Sequence, residues 1–529
     1  MQKYKKKRIG LFLYLCKLLQ FGMGIIIRQS IKGTIVNYIG VAIGFFTTFF
    51  VITNYLTQEE VGLTRVLVDA GVLFASLSQI GTGASILRFF PYFKDDENKH
   101  HGFFFWTIVV PLIGFLIFLA VYLLLKKPIV AIFSKNSPLF VNYFRFVIPI
   151  ALFMLYQNVF EANSNVLMRI VIPKFVREVG IRLGLLVIYI LYGRHIIDLD
   201  GLVLGFCITY FLAALVDILY LFSLQKISLK PDFKFLTKPL RRDFLFYTLF
   251  LVMASIAGTI TPLLSSFFVT AKMGLTFTGI FAIANYIATV IEIPNRSLNA
   301  IAQPNLSEAI KNQDWTRADE LCKSVSLHLL LSSFFIFFII WINVDLLFMI
   351  LRNGELYTSG KSVIFILGLA RLSNSAFSIS SNALSFSKYY YLTLVFTFLL
   401  TISSVVLNIL LIPSMGMNGA ALANFLSYFI YFIFLLILLR WKLKISLFSI
   451  GQLKIIAIIA LLFGLNALWT SSLTPLIMKI PFNPLAVSIL EGGIRTAVLA
   501  GIGITLVYCW KVSADVNRLI DKVIKRKNA

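Results

Sequence analysis

The chain has 529 residues, of which 59% are apolar, and it carries a formal net charge of +25. Charged residues make up only 13% of it, and apolar runs of about 18 to 25 residues recur from residue 35 to residue 508, which excludes a soluble globular protein and predicts a polytopic α-helical membrane protein. Lys and Arg are concentrated in short loops between the apolar runs, where such residues set the orientation of a membrane protein. The positive net charge is therefore no indication of nucleic-acid binding.

The N-terminal segment, residues 1–33, has a basic start followed by an apolar stretch. Lys17 and Gln20 interrupt this stretch, and no small-x-small cleavage site is present, which disfavours a signal peptide. We expect an interfacial amphipathic helix on the cytoplasmic face. An extra span formed by residues 9–27 is the alternative.

About fourteen apolar segments follow, each long enough to cross the bilayer as a helix. They cover residues 35–56, 62–87, 103–125, 142–163, 172–193, 200–222, 244–269, 277–301, 325–347, 361–385, 390–412, 418–439, 452–470 and 487–510. With a cytoplasmic N-terminus, about 34 Lys and Arg lie inside against about 8 outside, a bias that sets the orientation. We therefore expect both termini in the cytoplasm and, because every loop is short, no soluble catalytic domain.

The cysteines and histidines are scattered and indicate no cofactor. Cys16, Cys207, Cys322 and Cys509 lie far apart without CxxC spacing, so neither a zinc site nor a disulfide framework is expected. The adjacent pair His100 and His101 lies in the polar loop "KDDENKHHG", which is typical of a solvated loop.

An internal repeat relates the two halves of the chain. "FFVITNYLTQEEVGL" from Phe49 resembles "FFVTAKMGLTFTGI" from Phe267, and "FEANSNVL" resembles "FSISSNAL" at an offset of 217 (377 − 160). Gly62 and Gly279 correspond at the same offset, and "DGLVLGF" matches "NGAALAN" at 218 (418 − 200). The constant offset predicts two parallel six-helix repeats with two further C-terminal helices.

Polar residues inside the predicted spans concentrate in spans 2, 4, 8 and 10, the equivalent positions of the two halves. One interpretation is structural: acid–base pairs at i, i+4 act as clips, above all Glu491–Arg495, while arginines near span ends snorkel and Asn and Ser pack between helices. The other is a polar cavity between the halves, rich in arginine and suited to an anionic diphosphate. The residues concerned are Arg65, Asp69, Arg145, Gln157, Asn158, Glu161, Asn165, Arg177, Glu178, Arg182, Asp217, Glu292, Arg296, Asn299, Gln303, Arg371, Glu491 and Arg495.

Three longer motifs carry a family resemblance over nearly the whole chain. They are "LTQEEVGLTRVLVDAGVLFASLSQIGTGASILRFFPYF", "IPNRSLNAIAQPNLSEAIKNQDWTRADEL" and "GMNGAALANFLSYF". The chain resembles Wzx-type oligosaccharide flippases of the multidrug/oligosaccharidyl-lipid/polysaccharide (MOP) exporter superfamily. The resemblance implies two six-helix lobes forming a V, at residues 34–225 and 244–445. The segments outside these lobes are a basic cytoplasmic linker at 226–243, helices 13 and 14 at 446–510, and a basic cytoplasmic tail at 511–529.

The resemblance implies that the chain, a transporter and not an enzyme, moves an undecaprenyl-diphosphate-linked oligosaccharide across the bacterial cytoplasmic membrane. The resemblance also implies contact with membrane lipids. A glycan polymerase and glycosyltransferases of the same pathway are candidate partners. A lipid II flippase, in which two added helices form a groove for the lipid tail, is the main alternative. A drug/cation antiporter would need a predominantly acidic cavity, and a membrane-embedded glycan polymerase or ligase would need a large external loop.

Family members place functional arginines in the eighth span, where Arg296 lies, and in the first lobe, where Arg65 and Arg145 are the counterparts. We expect Glu292 to hold Arg296, and Pro294 to loosen the helix before it. The substrate-binding candidates are Arg296, Arg65, Arg145, Arg371, Asn299, Gln303 and Asn165. No GxxxxGK[ST] motif is present, so an ion gradient, the membrane potential or a downstream reaction must supply the energy. The ion-coupling candidates are Asp69, Glu161, Asp217 and Glu292.

Overall fold

The computed structural model describes residues 25–95, 97, 99–224, 230, 258–477 and 483–527. The predicted interfacial helix at the N-terminus and the basic linker at 226–243 fall almost entirely outside these residues. Within them, every regular element is helical.

The first half contains ten helices in its described part. They are α1 (Ile25–Phe46), α2 (Gln58–Ser78), α3 (Thr82–Phe93), α4 (Phe103–Leu124), α5 (Lys126–Phe133), α6 (Pro138–Tyr143), α7 (Val147–Val166), α8 (Val171–Phe175), α9 (Ile181–Gly193) and α10 (Leu199–Ser223). A π-helical segment, Thr47–Ile52, and a last α-helical turn, Thr53–Tyr55, extend α1. A second π-helical segment, Val176–Gly180, joins α8 to α9.

The second half begins with helical residues 258–273 and continues with helices of varied length. They are α11 (Leu275–Thr289), α12 (Ile293–Lys311), α13 (Trp315–Ile342), α14 (Val344–Ile350), α15 (Lys361–Phe386), α16 (Leu392–Met415), α17 (Met417–Leu443), α18 (Ile450–Ser472), α19 (Thr474–Ile477), α20 (Pro484–Cys509) and α21 (Ala514–Lys527). The last of these places a helix in the predicted basic tail.

The prediction of an all-α polytopic membrane fold is confirmed, and the count of about fourteen spans is approximate. Twelve helices in the described residues are long and apolar enough to cross a membrane. The fifth predicted span is the helical run 171–193, which its π-helical segment divides into short pieces. The seventh, at 244–269, lies partly outside the described residues.

Two predicted spans have different ends in the structure. The second breaks after Ser78, because Ile80 and Gly81 adopt positive φ angles of 45° and 66° before α3 begins. The eighth changes to a 3-10 turn at Val290–Glu292 and then continues as α12 to Lys311, ten residues beyond the predicted end. Pro294 lies in the first turn of α12, where its missing N–H group leaves no helical hydrogen bond unmade.

The described chain forms two compact units. The first contains residues up to Tyr55, Leu67–Ile129 and the residues from Asn142 to 230; the second contains Leu56–Val66, Val130–Val141 and the residues from 258 onward. The division into lobes at 34–225 and 244–445 stays a prediction, since two short segments of the first half belong to the second unit.

Helices α18 and α20, the predicted spans 13 and 14, are built into the second unit. Ile455, Ile458 and Leu462 of α18 pack in one apolar cluster with Phe334 and Phe338 of α13. A buried ion pair secures α20, because Glu491 lies 3.6 Å from Arg495 and also accepts hydrogen bonds from the side chains of Trp469 and Thr474. Arg495 donates to the carbonyl of Ile342 at the end of α13. The structure therefore favours the clip interpretation of this pair.

The repeat-related glycines meet in the second unit. A Cβ atom on Gly62 would collide with the carbonyl of Leu275, and a Cβ atom on Gly279 would collide with the carbonyl of Gln58. Each contact is the repeat equivalent of the other, since 58 + 217 = 275 and 62 + 217 = 279. Glycine is needed here because the backbones of α2 and α11 touch.

Candidate functional site

A stripe of polar side chains runs along α15 in the second unit. Asn374, Ser378 and Asn382 are spaced at i, i+4 and i+8, so they share one face of the helix, and all three are partly exposed. We call these three residues the second-unit stripe. A continuous polar face on a membrane helix is costly unless its side chains have partners.

The facing helix, α12, supplies those partners. Asn299 donates to Ser378 at 2.9 Å and to Asn295, and Ser378 donates to Asn295 at 2.8 Å. Asn382 extends the network with a longer bond of 3.4 Å to the side-chain oxygen of Asn299. The two helices are therefore joined by amide and hydroxyl groups, which can also exchange hydrogen bonds with sugar hydroxyls.

A buried ion pair lies at one end of this network. Nη1 of Arg371 lies 3.4 Å from Glu292, Nη2 donates to Asn285 at 2.9 Å, and Asn374 donates to Glu292 at 2.8 Å. Both charged side chains are well buried, with 13% of Arg371 and 17% of Glu292 exposed. The pair is neutral as a unit, so Arg371 is not a bare cation in this conformation.

The expected pairing of Glu292 with Arg296 is wrong. Although these residues are one helical turn apart, Glu292 is engaged by Arg371 and Asn374 from α15. Arg296 is exposed, and it makes no ion pair or hydrogen bond with the described residues. Gln303 is half-buried on the same helix, while Asn299 is 9% exposed and used in the network. The guanidinium of Arg296 is thus available to an anion.

A matching stripe lies on α7 in the first unit. The offset of 217 places Gln157, Glu161 and Asn165 at the equivalents of the second-unit stripe, since 157 + 217 = 374, 161 + 217 = 378 and 165 + 217 = 382. We call these the first-unit stripe. Gln157 and Glu161 are buried, and the buried Oδ1 of Asn165 has no hydrogen-bond partner among the described residues.

The first-unit stripe differs from the second by carrying an acid. Glu161 accepts from Nη1 of Arg177 at 2.7 Å, and Glu178 bridges Arg177 at 3.3 Å and Arg182 at 3.2 Å. These contacts join α7 to the π-helical segment and to α9. The arginines expected to snorkel at a helix end therefore form an ion-pair network.

The remaining predicted residues lie in different surroundings. Arg65 is half-buried and Asp69 is 2% exposed, and they share a face of α2. Arg145 is exposed in the 3-10 turn before α7, whereas Asp217 on α10 is fully buried. Sequence reasoning did not single out Asn285, Asn295, Asn374, Ser378 and Asn382. The i, i+4, i+8 spacing, aligned through the repeat, was the signal that could have found the stripe.

An apolar groove of about 460 Å³ lies within the second unit, beside the C-terminal helices. Leu331 and Phe335 of α13 form one wall, Ile504 and Val507 of α20 another, and Val516 of α21 closes it. His328, Ser332 and Asp515 are the polar residues of its lining. A groove of this composition can hold an extended hydrocarbon chain.

Comparison with known proteins agrees with this architecture. The family of polysaccharide biosynthesis proteins matches residues 28–310, which is more than half of the chain. No curated protein matches the chain.

Several solved structures are similar over most of the chain. The lipid II flippase MurJ, in an inward closed conformation, has a TM-score of 0.66 at 14% identity and covers 89% of this chain and 98% of its own. An inward-facing multidrug resistance MATE family transporter of the MOP superfamily has a TM-score of 0.59 at 14% identity, covering 80% and 98%. A MOP superfamily transporter from Pyrococcus furiosus has a TM-score of 0.54 at 11% identity, covering 79% and 96%. At such identities the likeness shows the fold.

Proposed function

The chain belongs to the family of polysaccharide biosynthesis proteins and has the fold of MOP-superfamily flippases and transporters; from this we propose that it is a Wzx-type flippase. Its substrate is an undecaprenyl-diphosphate-linked oligosaccharide, such as a repeat unit of O-antigen, capsule or exopolysaccharide. It moves this lipid from the inner to the outer leaflet of the bacterial cytoplasmic membrane by alternating access, with both of its termini in the cytoplasm.

The observation that carries the proposal is the pair of repeat-related polar stripes. Polar side chains in membrane helices are costly, and their recurrence at equivalent positions of both repeats favours a role in ligand binding. Sugars offer many hydroxyl groups, which pair with Asn, Gln and Ser in either direction. We assign Asn165, Asn299 and Gln303 to contacts with the glycan.

The diphosphate requires cations, and we assign it first to Arg296. Its guanidinium is exposed and free of described partners, and a planar guanidinium binds phosphate with two parallel hydrogen bonds. Arg65 and Arg145 are the corresponding candidates in the first repeat. Arg371 takes a secondary role, since Glu292 already neutralises it.

We place the polyprenyl tail in the apolar groove beside α13 and α20. Its lining is mostly hydrocarbon, and α20, one of the two helices that follow the repeats, forms one of its walls. The tail then remains in an apolar environment while the headgroup crosses. Asp69, Glu161, Asp217 and Glu292 are the candidates for coupling transport to an ion gradient, and glycosyltransferases and a glycan polymerase of the same pathway are the expected partners.

A lipid II flippase is the second candidate, because MurJ shares the fold over 89% of this chain. A drug/cation antiporter is disfavoured, since the exposed Arg296 and Arg145 suit an anionic ligand better than a cationic one.

The test is to delete the gene and identify the undecaprenyl-linked intermediate that accumulates on the cytoplasmic side. Accumulation of a lipid-linked oligosaccharide supports the proposal, accumulation of lipid II supports the second candidate, and accumulation of neither rejects both.

Complementation with point variants then tests Arg296. Losing a charged hydrogen bond worth about 1.5–3 kcal/mol corresponds to a fall in export of roughly tenfold to one-hundredfold for Arg296→Gln. Arg440→Gln, which changes an exposed arginine at the end of α17, is the matched control and should export normally. Equal export by both variants at equal expression would remove Arg296 from the mechanism.

A further inference from the structure

Asp217 is a buried acid to which no described residue donates a hydrogen bond. It lies within α10, its side chain is 0% exposed, and neither carboxylate oxygen has a hydrogen-bond partner among the described residues. An ionised carboxylate in such a place would forfeit its hydration without compensation, and proteins avoid this cost by keeping the group neutral.

The fold itself does not require an acid at this position. The repeat offset of 218 places Leu435 at the equivalent site in the second unit, because 217 + 218 = 435, and Leu435 is also 0% exposed. A leucine therefore satisfies the packing of the same helix in the other repeat. The carboxyl group of Asp217 is an addition that packing alone does not explain.

An ion pair lies on the elements packed against α10. Glu161 belongs to α7 and Arg177 to the π-helical segment, both of which contact α10, and the two side chains lie 2.7 Å from each other. Their exposure increases outward, from the buried Asp217 to Glu161 at 11% and Arg177 at 41% of the side chain. The exposed fraction of the side chain therefore increases along the trio, from Asp217 to Arg177.

The helices packed against α10 carry few other charges. In the described residues they are Lys174 on α8, Glu178 beside Arg177, Arg182 on α9 and the exposed Arg145 before α7. Glu178 forms ion pairs with Arg177 and Arg182. Gln157, one turn before Glu161, has a buried Nε2 group without a partner, a further unmet polar group on the helix that packs along α10.

The backbone at Arg177 is itself unusual. Val176–Gly180 is a π-helical segment, a form that is rare and frequent at functional sites. Its extra residue per turn allows a side chain to change direction by a local shift of the helix.

We propose that Asp217, Glu161 and Arg177 form a proton-exchange site that couples transport to the proton gradient, an inference that rests on the proposed function for its role in export. In the present conformation Asp217 holds a proton while Arg177 pairs with the Glu161 carboxylate. In the alternate state Arg177 pairs with the Asp217 carboxylate, and Glu161 has taken up the proton. Between the two states the proton moves from Asp217 to Glu161 and the guanidinium of Arg177 moves from Glu161 to Asp217. The net charge of the three side chains is therefore zero in both states. Glu161, the more exposed acid, exchanges its proton with water.

The direct test uses infrared difference spectroscopy on the full-length protein in lipid vesicles during a pH titration. The wild type should show the carbonyl-stretch band of a protonated, buried carboxyl group, which disappears as the pH rises. Asp217→Asn should lack this band at every pH. Arg177→Gln removes the cation that stabilises the ionised form, so the band should persist to higher pH than in the wild type. A wild-type spectrum from which Asp217→Asn removes no such band would overturn the proposal.

The functional arm measures glycan export in the deletion strain. Asp217→Leu, which copies the equivalent position of the other repeat, should fold and reach the membrane yet export no better than the deletion. Asp200→Asn, an acid at the start of the same helix, is the control and should export normally. Normal export by Asp217→Leu would refute the coupling role. Failure of the wild-type gene to restore export would count against the proposed function, while the infrared band would still report on Asp217.

Discussion

At the scale of single residues, the partner of each charge decides what that charge can do. Arg371 and Arg296 are both arginines of facing helices in the second unit, yet one is neutralised by Glu292 and the other is exposed without a described partner. A guanidinium already paired with a carboxylate gains less from a phosphate than a free one, since it must first give up its partner. Position along the helix alone does not separate the two.

The Arg371–Glu292 pair can be tested with a double-mutant cycle. Arg371→Met leaves Glu292 buried without its cation, and breaking a buried pair in this way costs about 3–5 kcal/mol. We expect a marked fall in the thermal unfolding temperature in detergent for the single variant. The double variant Arg371→Met/Glu292→Gln, which removes both charges, should recover most of it.

The control for this cycle is Lys388→Met, which removes an exposed cation just beyond the end of α15. It should unfold at the wild-type temperature. An Arg371→Met variant as stable as this control would mean that the pair contributes nothing to the packing of α15 against α12.

At the scale of helices, polar groups and glycines set how closely neighbours approach. The α12–α15 contact is made through Asn299 and Ser378, whereas the α2–α11 contact is made through bare backbone at Gly62 and Gly279. In a membrane, the hydrophobic effect contributes little to the association of helices, so hydrogen bonds and close backbone packing hold them together. The α12–α15 contact is an example of the first, and the α2–α11 contact is an example of the second.

Gly279→Ala tests the backbone contact. The added methyl group would meet the carbonyl of Gln58, a backbone atom that cannot rotate away, so α11 must shift. Overpacking of this kind typically costs about 1–3 kcal/mol. We expect a lower unfolding temperature and weaker export.

Gly464→Ala provides the matched control in α18. A Cβ atom there has no neighbour within 4 Å, so the variant should be as stable as the wild type or slightly more so, because alanine favours the helix. If both variants unfolded at the same temperature, the close approach of α2 and α11 would be unimportant to stability.

At the scale of the whole molecule, the two repeats share a fold but differ in charge. The first-unit stripe contains Glu161, whereas the second-unit stripe has Ser378 in its place, and Asp217 is replaced by Leu435. At these equivalent positions, α7 and α10 carry ionisable groups, whereas α15 and α17 carry neutral ones. This division suits proton exchange in one unit and hydrogen bonding in the other.

The C-terminal helices provide a prediction at the same scale. Ile504 lines the apolar groove and is 51% exposed, whereas Ile494 on the same helix lies outside the lining and is 52% exposed. If the groove holds the polyprenyl tail, Ile504→Trp should reduce export several-fold by narrowing it. Ile494→Trp should export normally, and equal export by both variants would place the tail elsewhere.

Much of the architecture follows from the sequence alone. Long apolar runs must become helices in a membrane, because lipid satisfies no backbone hydrogen bond, and the offset of 217 residues between the halves predicts a repeat. The same offset, applied to Phe160 and Phe377, would have identified both polar stripes. Such features depend on periodicity along one helix, which a linear sequence records.

Only the tertiary structure decided which groups meet. Glu292 and Arg296 are four residues apart and well placed to pair, but Arg371, 79 residues away, takes the carboxylate from a neighbouring helix. The isolation of Asp217 is likewise invisible in the sequence, since it depends on the helices packed around α10. Spacing along a helix determines which side chains share a face, while helix packing determines which partner faces them, and the chemistry of this protein depends on the second.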